Sequence, residues 1–214
     1  MTLPPNDPSL SDQALPLFPL GTVLFPDGRL PLRIFEVRYL DMIKKCHRAG
    51  REFGVVSLIE GSEVKRAGPG APERFHAVGT RARIETFAQP QPGLYEIVTR
   101  GTTRFRITAQ AQTPHGLWMA EVEDIPADAP CPLPPELAYV AGNLVKLMDL
   151  LRATDLWPAD GSRRLDDAGW VANRWCELLP LEGDDRQRLM EMRDPLLRLE
   201  LVGDLLDRTE FGQG

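Results

Sequence analysis

Histidine and cysteine are scarce, with three of each among 214 residues. His47, His76 and His115 lack the i, i+4 spacing of paired metal ligands on a helix. Cys46, Cys131 and Cys176 lie 85 and 45 residues apart, far from the spacing of a zinc knuckle or a secreted disulfide framework. No HExxH, CxxC, GxSxG or GxxxxGK[ST] pattern occurs, which removes the usual signatures of zinc peptidases, dithiol redox proteins, serine hydrolases and P-loop ATPases. Gly68-Pro69-Gly70, the most glycine-rich stretch, lacks the following lysine and helix that a phosphate would need. No cofactor and no metal is expected. Apolar runs such as 55–59 fall far below the roughly 18 residues of a membrane span, and residues 1–13 carry no Lys or Arg, so neither an anchor nor a signal peptide is expected. A basic excess is also lacking: 25 Lys and Arg face 31 Asp and Glu, a net charge of -6 that disfavours a nucleic-acid partner. The thiol content fits a reducing cytoplasm.

What is present is the composition of a folded chain, 43% hydrophobic and 26% charged. Pro126, Pro130, Pro132, Pro134 and Pro135 crowd one short stretch that can continue neither helix nor paired strand. Residues 1–125 hold 15 basic and 14 acidic side chains, whereas residues 126–214 hold 10 and 17. The expected organisation is therefore a β domain over 1–125, a proline-rich linker over 126–134 and a helical domain over 135–214.

Within the first domain, 53–59, 75–87, 95–108 and 117–124 are rich in β-branched and aromatic residues and are bounded by Gly and Pro, as strands are. Val37, Leu40, Ile43 and His47 recur at helical spacing before Gly50, a left-handed C-cap. Leu17, Leu20, Val23, Phe25 and Leu32 are expected in the core, and the prolines among them predict edge strands. In the second domain an apolar stripe from Leu137 to Leu151 predicts a helix over 135–152, and Val171, Trp175, Leu178 and Leu179 predict another over 167–179. Asp184 is expected to cap a short helix over 187–192. Asp194 with Pro195 at the first helical position opens the last, with Leu196, Leu199, Val202 and Leu206 inward.

Catalytic constellations find little support. Cys46 beside His47 suggests a nucleophile and base, yet adjacent helical residues diverge by about 100°, so structural roles are favoured. Lys44, Lys45, Lys65 and Lys146 have no serine in a recognisable dyad context, and Asp166-Asp167 and Asp184-Asp185 read as helix-capping charge. Strand alternation groups Arg81 and Arg83 on one face, and likewise Arg104 and Arg106; if the two strands are neighbours, the four form a surface for carboxylate or phosphate. The plainer alternative is a solvated face balanced by Glu85 and Glu96. Glu36 falls in the first helical turn with Arg38 two positions on, as an ion pair or a ligand contact, close to Arg33.

Residues 15–40, LPLFPLGTVLFPDGRLPLRIFEVRYL, together with Gly54-Val55-Val56, Val78-Gly79-Thr80-Arg81-Ala82-Arg83-Ile84 and Thr102 to Ile107, resemble the N-terminal domain of Lon proteases, particularly its stand-alone bacterial members. Residues 170–174, 177–181, 186–189 and 194–199 continue the likeness through the helical part. The resemblance implies an α+β fold, a PUA-like β pseudo-barrel with one inserted helix followed by an α-helical bundle. It implies a non-catalytic, substrate-recognising module, an adaptor in protein quality control whose partners are an unfolded or extended polypeptide and a Lon-type protease. The ATPase and Ser-Lys peptidase of full Lon proteases belong to later domains. Cereblon carries a similar domain, but no match to its zinc-bearing domain is found. Two other classes are set beside this: an RNA-binding PUA-like protein using the Arg81, Arg83, Arg104 and Arg106 face, and a hydrolase in its own right. Arg33, Glu36, Arg38, Arg81, Arg83, Arg104 and Arg106 form the expected binding surface.

Overall fold

Alternating and β-branched segments build a mixed seven-stranded sheet in the computed structural model of the chain, which describes residues 10–11, 13–60, 73–153 and 163–208. Lys65 and Gly68-Pro69-Gly70 lie outside these residues. Contacts divide the chain into two units, Met1–Ala127 and Asp128–Gly214.

In the first unit, β1 (Leu15–Leu20), β2 (Arg29–Ile34), α1 (Val37–Ala49), β3 (Phe53–Glu60), β4 (Arg74–Phe75), β5 (Val78–Gln91), β6 (Leu94–Gln112) and β7 (Trp118–Asp124) follow in order. The hydrogen-bonded path runs β1-β7-β6-β5-β3 and returns to β1 through a parallel β1–β3 pair, so it closes on itself. β1 is therefore not an edge strand, contrary to the expectation from Pro16 and Pro19. The pairing is staggered: Leu15–Leu17 meets β7 and Leu17–Leu20 meets β3. Each proline thus has a partner strand on only one side, and its missing N–H is tolerated. Pro31 fits the expectation, since among the described residues β2 pairs with β6 alone.

The ring buries both faces of β1. Leu15 and Leu17 join Val56, Phe105, Trp118 and Ala120 in one cluster, while Phe18 and Leu20 join Ile34, Tyr39, Ile43, Phe53 and Val55 in another that packs α1 against the strands. Space for Phe105 comes from glycine: a Cβ on Gly79 would stand 2.4 Å from the Val55 carbonyl oxygen and 2.8 Å from the Phe105 ring. Helix α1 turns a different face inward from the one expected. Tyr39, Met42, Ile43 and Cys46 are buried, whereas Val37 is 83% exposed and His47 stacks on Phe87 at 4.4 Å. Gly50 does close the helix at φ 62°, its N–H on the Cys46 and His47 carbonyls. Leu17, Leu20, Val23 and Phe25 are buried, and Leu32 is half-buried.

In the second unit a single 3-10 turn, Pro135–Leu137, precedes α2 (Ala138–Ala153), followed by α3 (Ala168–Leu178), α4 (Gly183–Glu191) and α5 (Pro195–Asp207). The α3 and α5 starts follow their capping residues: Asp167 accepts from the Trp170 N–H, and Asp194 from those of Leu196 and Leu197. Helix α4 begins earlier than expected, with Glu182 at the N-cap, so Asp184 and Asp185 lie inside its first turn where their charge opposes the helix dipole favourably. Trp175 donates to the Val140 carbonyl at 2.9 Å, and the Arg186 guanidinium satisfies the Cys176 and Leu179 carbonyls that the end of α3 leaves open. Leu196 is half-buried beside Arg198, which is 1% exposed and donates to the Leu189 and Met192 carbonyls, Asn173 and Asp128. No described helix is long and apolar enough to cross a membrane.

Candidate functional site

A strand bonded along one edge only, with apolar residues beside the other, is a place where another chain can pair. Strand β2 has that form. Its residues Pro31 to Ile34, the following Phe35 and Glu36, Phe18 and Leu20 of β1, and Tyr39 of α1 line a groove of about 250 Å³. In this lining Phe35 is 55% exposed, and Val37, two residues further on, is more so. Among the described residues, no strand covers the second edge of β2. The floor is aromatic: Phe18 and Tyr39 stack at 4.0 Å, and Phe18 lies 6.2 Å from Phe53.

Three of the expected binding residues border this groove in different roles. Arg33 is exposed and pairs with Glu96 at 3.3 Å across the β2–β6 register. Glu36 is the N-cap of α1 but makes no capping bond; its carboxylate accepts instead from Arg38 Nε at 3.0 Å. Arg38 is buried rather than presented to a ligand. It also meets Glu73 at 2.9 Å, donates to the Gly116 carbonyl and lies 4.5 Å over the Tyr39 ring, while Glu73 accepts from the Trp118 indole at 2.7 Å. Burial opposes its charge, but the Glu73 hydrogen bond and the charges of Tyr39, Glu73 and Glu36 outweigh that and raise its pKa. Arg38 thus fixes the start of α1 to the β7 side of the unit.

The four-arginine face does not assemble. The register runs Phe18–Val55–Thr80–Arg104, which places Arg104 in a buried row at 3% exposure, while Arg81 stands in the neighbouring row with Leu17 and Gly54. Adjacent residues of a strand face opposite sides, so Arg81 and Arg104 are divided between faces. Arg106 is exposed opposite Val78 and Glu123. A register shift after Thr80 brings Arg83 opposite Arg100 instead, and Arg100 opposite Arg29. Sequence reasoning missed Arg29 and Arg100, because strand alternation shows parity but not register. Glu85 balances this row, accepting Arg100 and Arg29 at 2.6 Å each. Burial pushes its pKa up, but the two guanidinium groups outweigh this and hold it below the usual range.

The cysteine–histidine reading finds no geometry either. Burial raises the Cys46 thiol pKa against the pull of Arg51, and burial pushes that of Cys176 up to about 12, so neither is an activated thiolate. Among the described residues no group of three or more His, Cys, Asp or Glu is placed to hold a metal ion.

Comparison with known proteins matches residues 14–208 to the ATP-dependent protease La (LON) substrate-binding domain. Relatives include Lon protease 2 of Myxococcus xanthus, 27% identical over 201 residues, and a Lon protease of Anaeromyxobacter dehalogenans, 27% over 205. These alignments cover 92% and 91% of this chain but 24% and 23% of the relatives, so the chain spans about a quarter of their length. The crystal structure of a Lon N-terminal domain protein from Xanthomonas campestris superposes with a TM-score of 0.66 at 35% identity, covering 89% of this chain and 96% of that one. The N-terminal domain of a Mycobacterium avium complex Lon protease shares the fold, with a TM-score of 0.57 at 19% identity, covering 90% and 97%.

Proposed function

The chain belongs to the LON substrate-binding domain family, and from that premise we propose that it binds extended or partly unfolded polypeptide along β2, without catalysing a reaction on it. A client segment adds to the second edge of β2 by backbone pairing and seats alternate side chains in the groove beside Phe18, Leu20 and Tyr39. The observation that carries this reading is the juxtaposition of the β2 edge that no described strand covers with Phe35, 55% exposed in a unit whose other described large apolar side chains are mostly buried. In this reading the first unit is a PUA-like pseudo-barrel, the proline-rich stretch a linker and the second unit a helical bundle. The protein acts in the cytoplasm as an adaptor that presents clients to a Lon-type protease.

The test is fluorescence anisotropy with a short labelled peptide of alternating apolar and polar residues and its backbone N-methylated counterpart. Binding by the first and loss of binding by the second are expected, because N-methylation removes the pairing donors and leaves the side chains. Equal binding of the two peptides, or no binding of either, overturns the proposal. What supports polypeptide over RNA is the division of Arg81 and Arg104 between opposite strand faces, which leaves the four arginines without a shared surface.

A further inference from the structure

Where the start of β3 passes β1 and β5, a cavity of about 470 Å³ is lined by Gln13, Leu15, Gly50, Arg51, Glu52, Arg81 and Arg83. We propose that this is a second recognition site, an oxyanion pocket that takes the carboxylate side chains of an acidic polypeptide segment. It rests on the reading above only in taking polypeptide as the ligand; its residues and chemistry are separate from the β2 groove.

Three guanidinium groups face one carboxylate in the lining. Among the described residues Arg81 engages Asp124 through Nε, at 2.7 Å, and its terminal nitrogens remain as donors there. Arg83 spends one terminal nitrogen on Glu52 at 3.2 Å, and Glu52 is itself shared with the Thr102 hydroxyl at 3.0 Å. Arg51 makes no ion pair among the described residues. The site therefore holds more charged donors than its own acceptors use, in the planar forks that match a carboxylate. Gly50, in the left-handed conformation, adds no side chain to the wall, and a Cβ there would meet no atom within 4 Å.

The lining favours acidic polypeptide over nucleic acid. None of the seven residues is aromatic, so nothing offers a base a stacking surface, and Arg104 and Arg106 do not extend the pocket along a phosphate backbone. Only two of the four arginines grouped by strand alternation contribute. Arg51, from the turn after α1, supplies the third cation.

N-acetylated tetraglutamate separates this site from the β2 groove, because it has no apolar side chain to seat there. Titrated into the full chain, it is expected to shift the Arg51, Arg81 and Arg83 Nε–H resonances, while tetraglutamine leaves them in place and inorganic phosphate competes. The double variant Arg51→Ser, Arg83→Ser is expected to weaken tetraglutamate binding by about tenfold or more, with the Arg188→Ser variant, at an exposed arginine of the second unit, unchanged. Equal responses to the two peptides overturn the proposal, as does full affinity in a folded double variant or tighter binding of a single-stranded RNA at the same arginines. The glutamate-to-glutamine comparison on the unaltered chain decides the matter even where the double variant does not fold. Binding of the apolar peptide in a parallel sample reports on the β2 groove independently.

Discussion

Replacing Phe35 by serine removes the largest exposed apolar side chain at the rim of the β2 groove while leaving the β2–β6 ladder intact. A phenylalanine offers about 200 Å² of surface on burial, and Phe35 has 55% of its surface still in water. A bound peptide can therefore cover at most about 110 Å² of it, and at roughly 25 cal/mol per Å² that area contributes up to about 2.7 kcal/mol. The Phe35→Ser variant should accordingly bind the apolar peptide up to about 100-fold more weakly, measured by fluorescence anisotropy at fixed salt. Its own stability should fall by up to about 2 kcal/mol, since the part of the ring not in water, about 90 Å², is already covered in the free protein. Affinity unchanged within about twofold in a folded Phe35→Ser variant, against that 100-fold ceiling, would refute the reasoning.

Arg38→Met should destabilise the first unit by roughly 3–5 kcal/mol in urea unfolding, because Glu36 and Glu73 lose their shared cation in a buried setting; adding Glu73→Gln should recover part of that loss, and full stability in Arg38→Met would contradict the assignment. Glu85 contributes stability that is present above its unfolded pKa of about 4.3 and is lost as pH falls through its lowered folded value. Glu85→Gln should therefore lower Tm at neutral pH and flatten its decline in acid, measured by circular dichroism, and an unaltered acid limb would count against the Arg29–Glu85–Arg100 pairing. Gly79→Ala should cost at least about 2 kcal/mol, since its Cβ would meet the Val55 carbonyl. Gly142→Ala, in α2 where nothing lies within 4 Å, should gain up to about 1 kcal/mol; comparable losses in both would refute the packing argument.

The secondary structure was legible wherever local chemistry sets it. Gly50 ends α1 because a left-handed residue is needed there, and Asp167 and Asp194 open α3 and α5 because their carboxylates satisfy backbone N–H groups within three residues. Long-range pairing was not legible. Pro16 and Pro19 mark β1 as an edge strand by every local criterion, and only the staggered partners β7 and β3 make it part of a closed path. The inward face of α1 was misjudged for a related reason. Val37 fits the apolar period, but the tertiary setting of the first turn buries Arg38 and Tyr39 and leaves Val37 in water.

The candidate site divides along the same line. Resemblance pointed to polypeptide recognition, and Arg33 and Glu36 do border the groove, yet the feature on which the proposed site rests is the edge of β2 that no described strand covers, a property of topology. The buried arginines show the limit most clearly. A sequence presents arginine as a surface residue, and Arg38 and Arg198 are buried because their acceptors come from distant positions: Gly116, 78 residues from Arg38, and Asp128, 70 residues from Arg198. Either guanidinium, without those acceptors, would be an unpaired charge in an apolar setting. The charge that a local reading assigns to a binding surface is, at Arg38 and Arg104, held inside the fold. Under the proposal made above, the arginines offered to an acidic segment are Arg51, Arg81 and Arg83, of which strand alternation alone grouped only two.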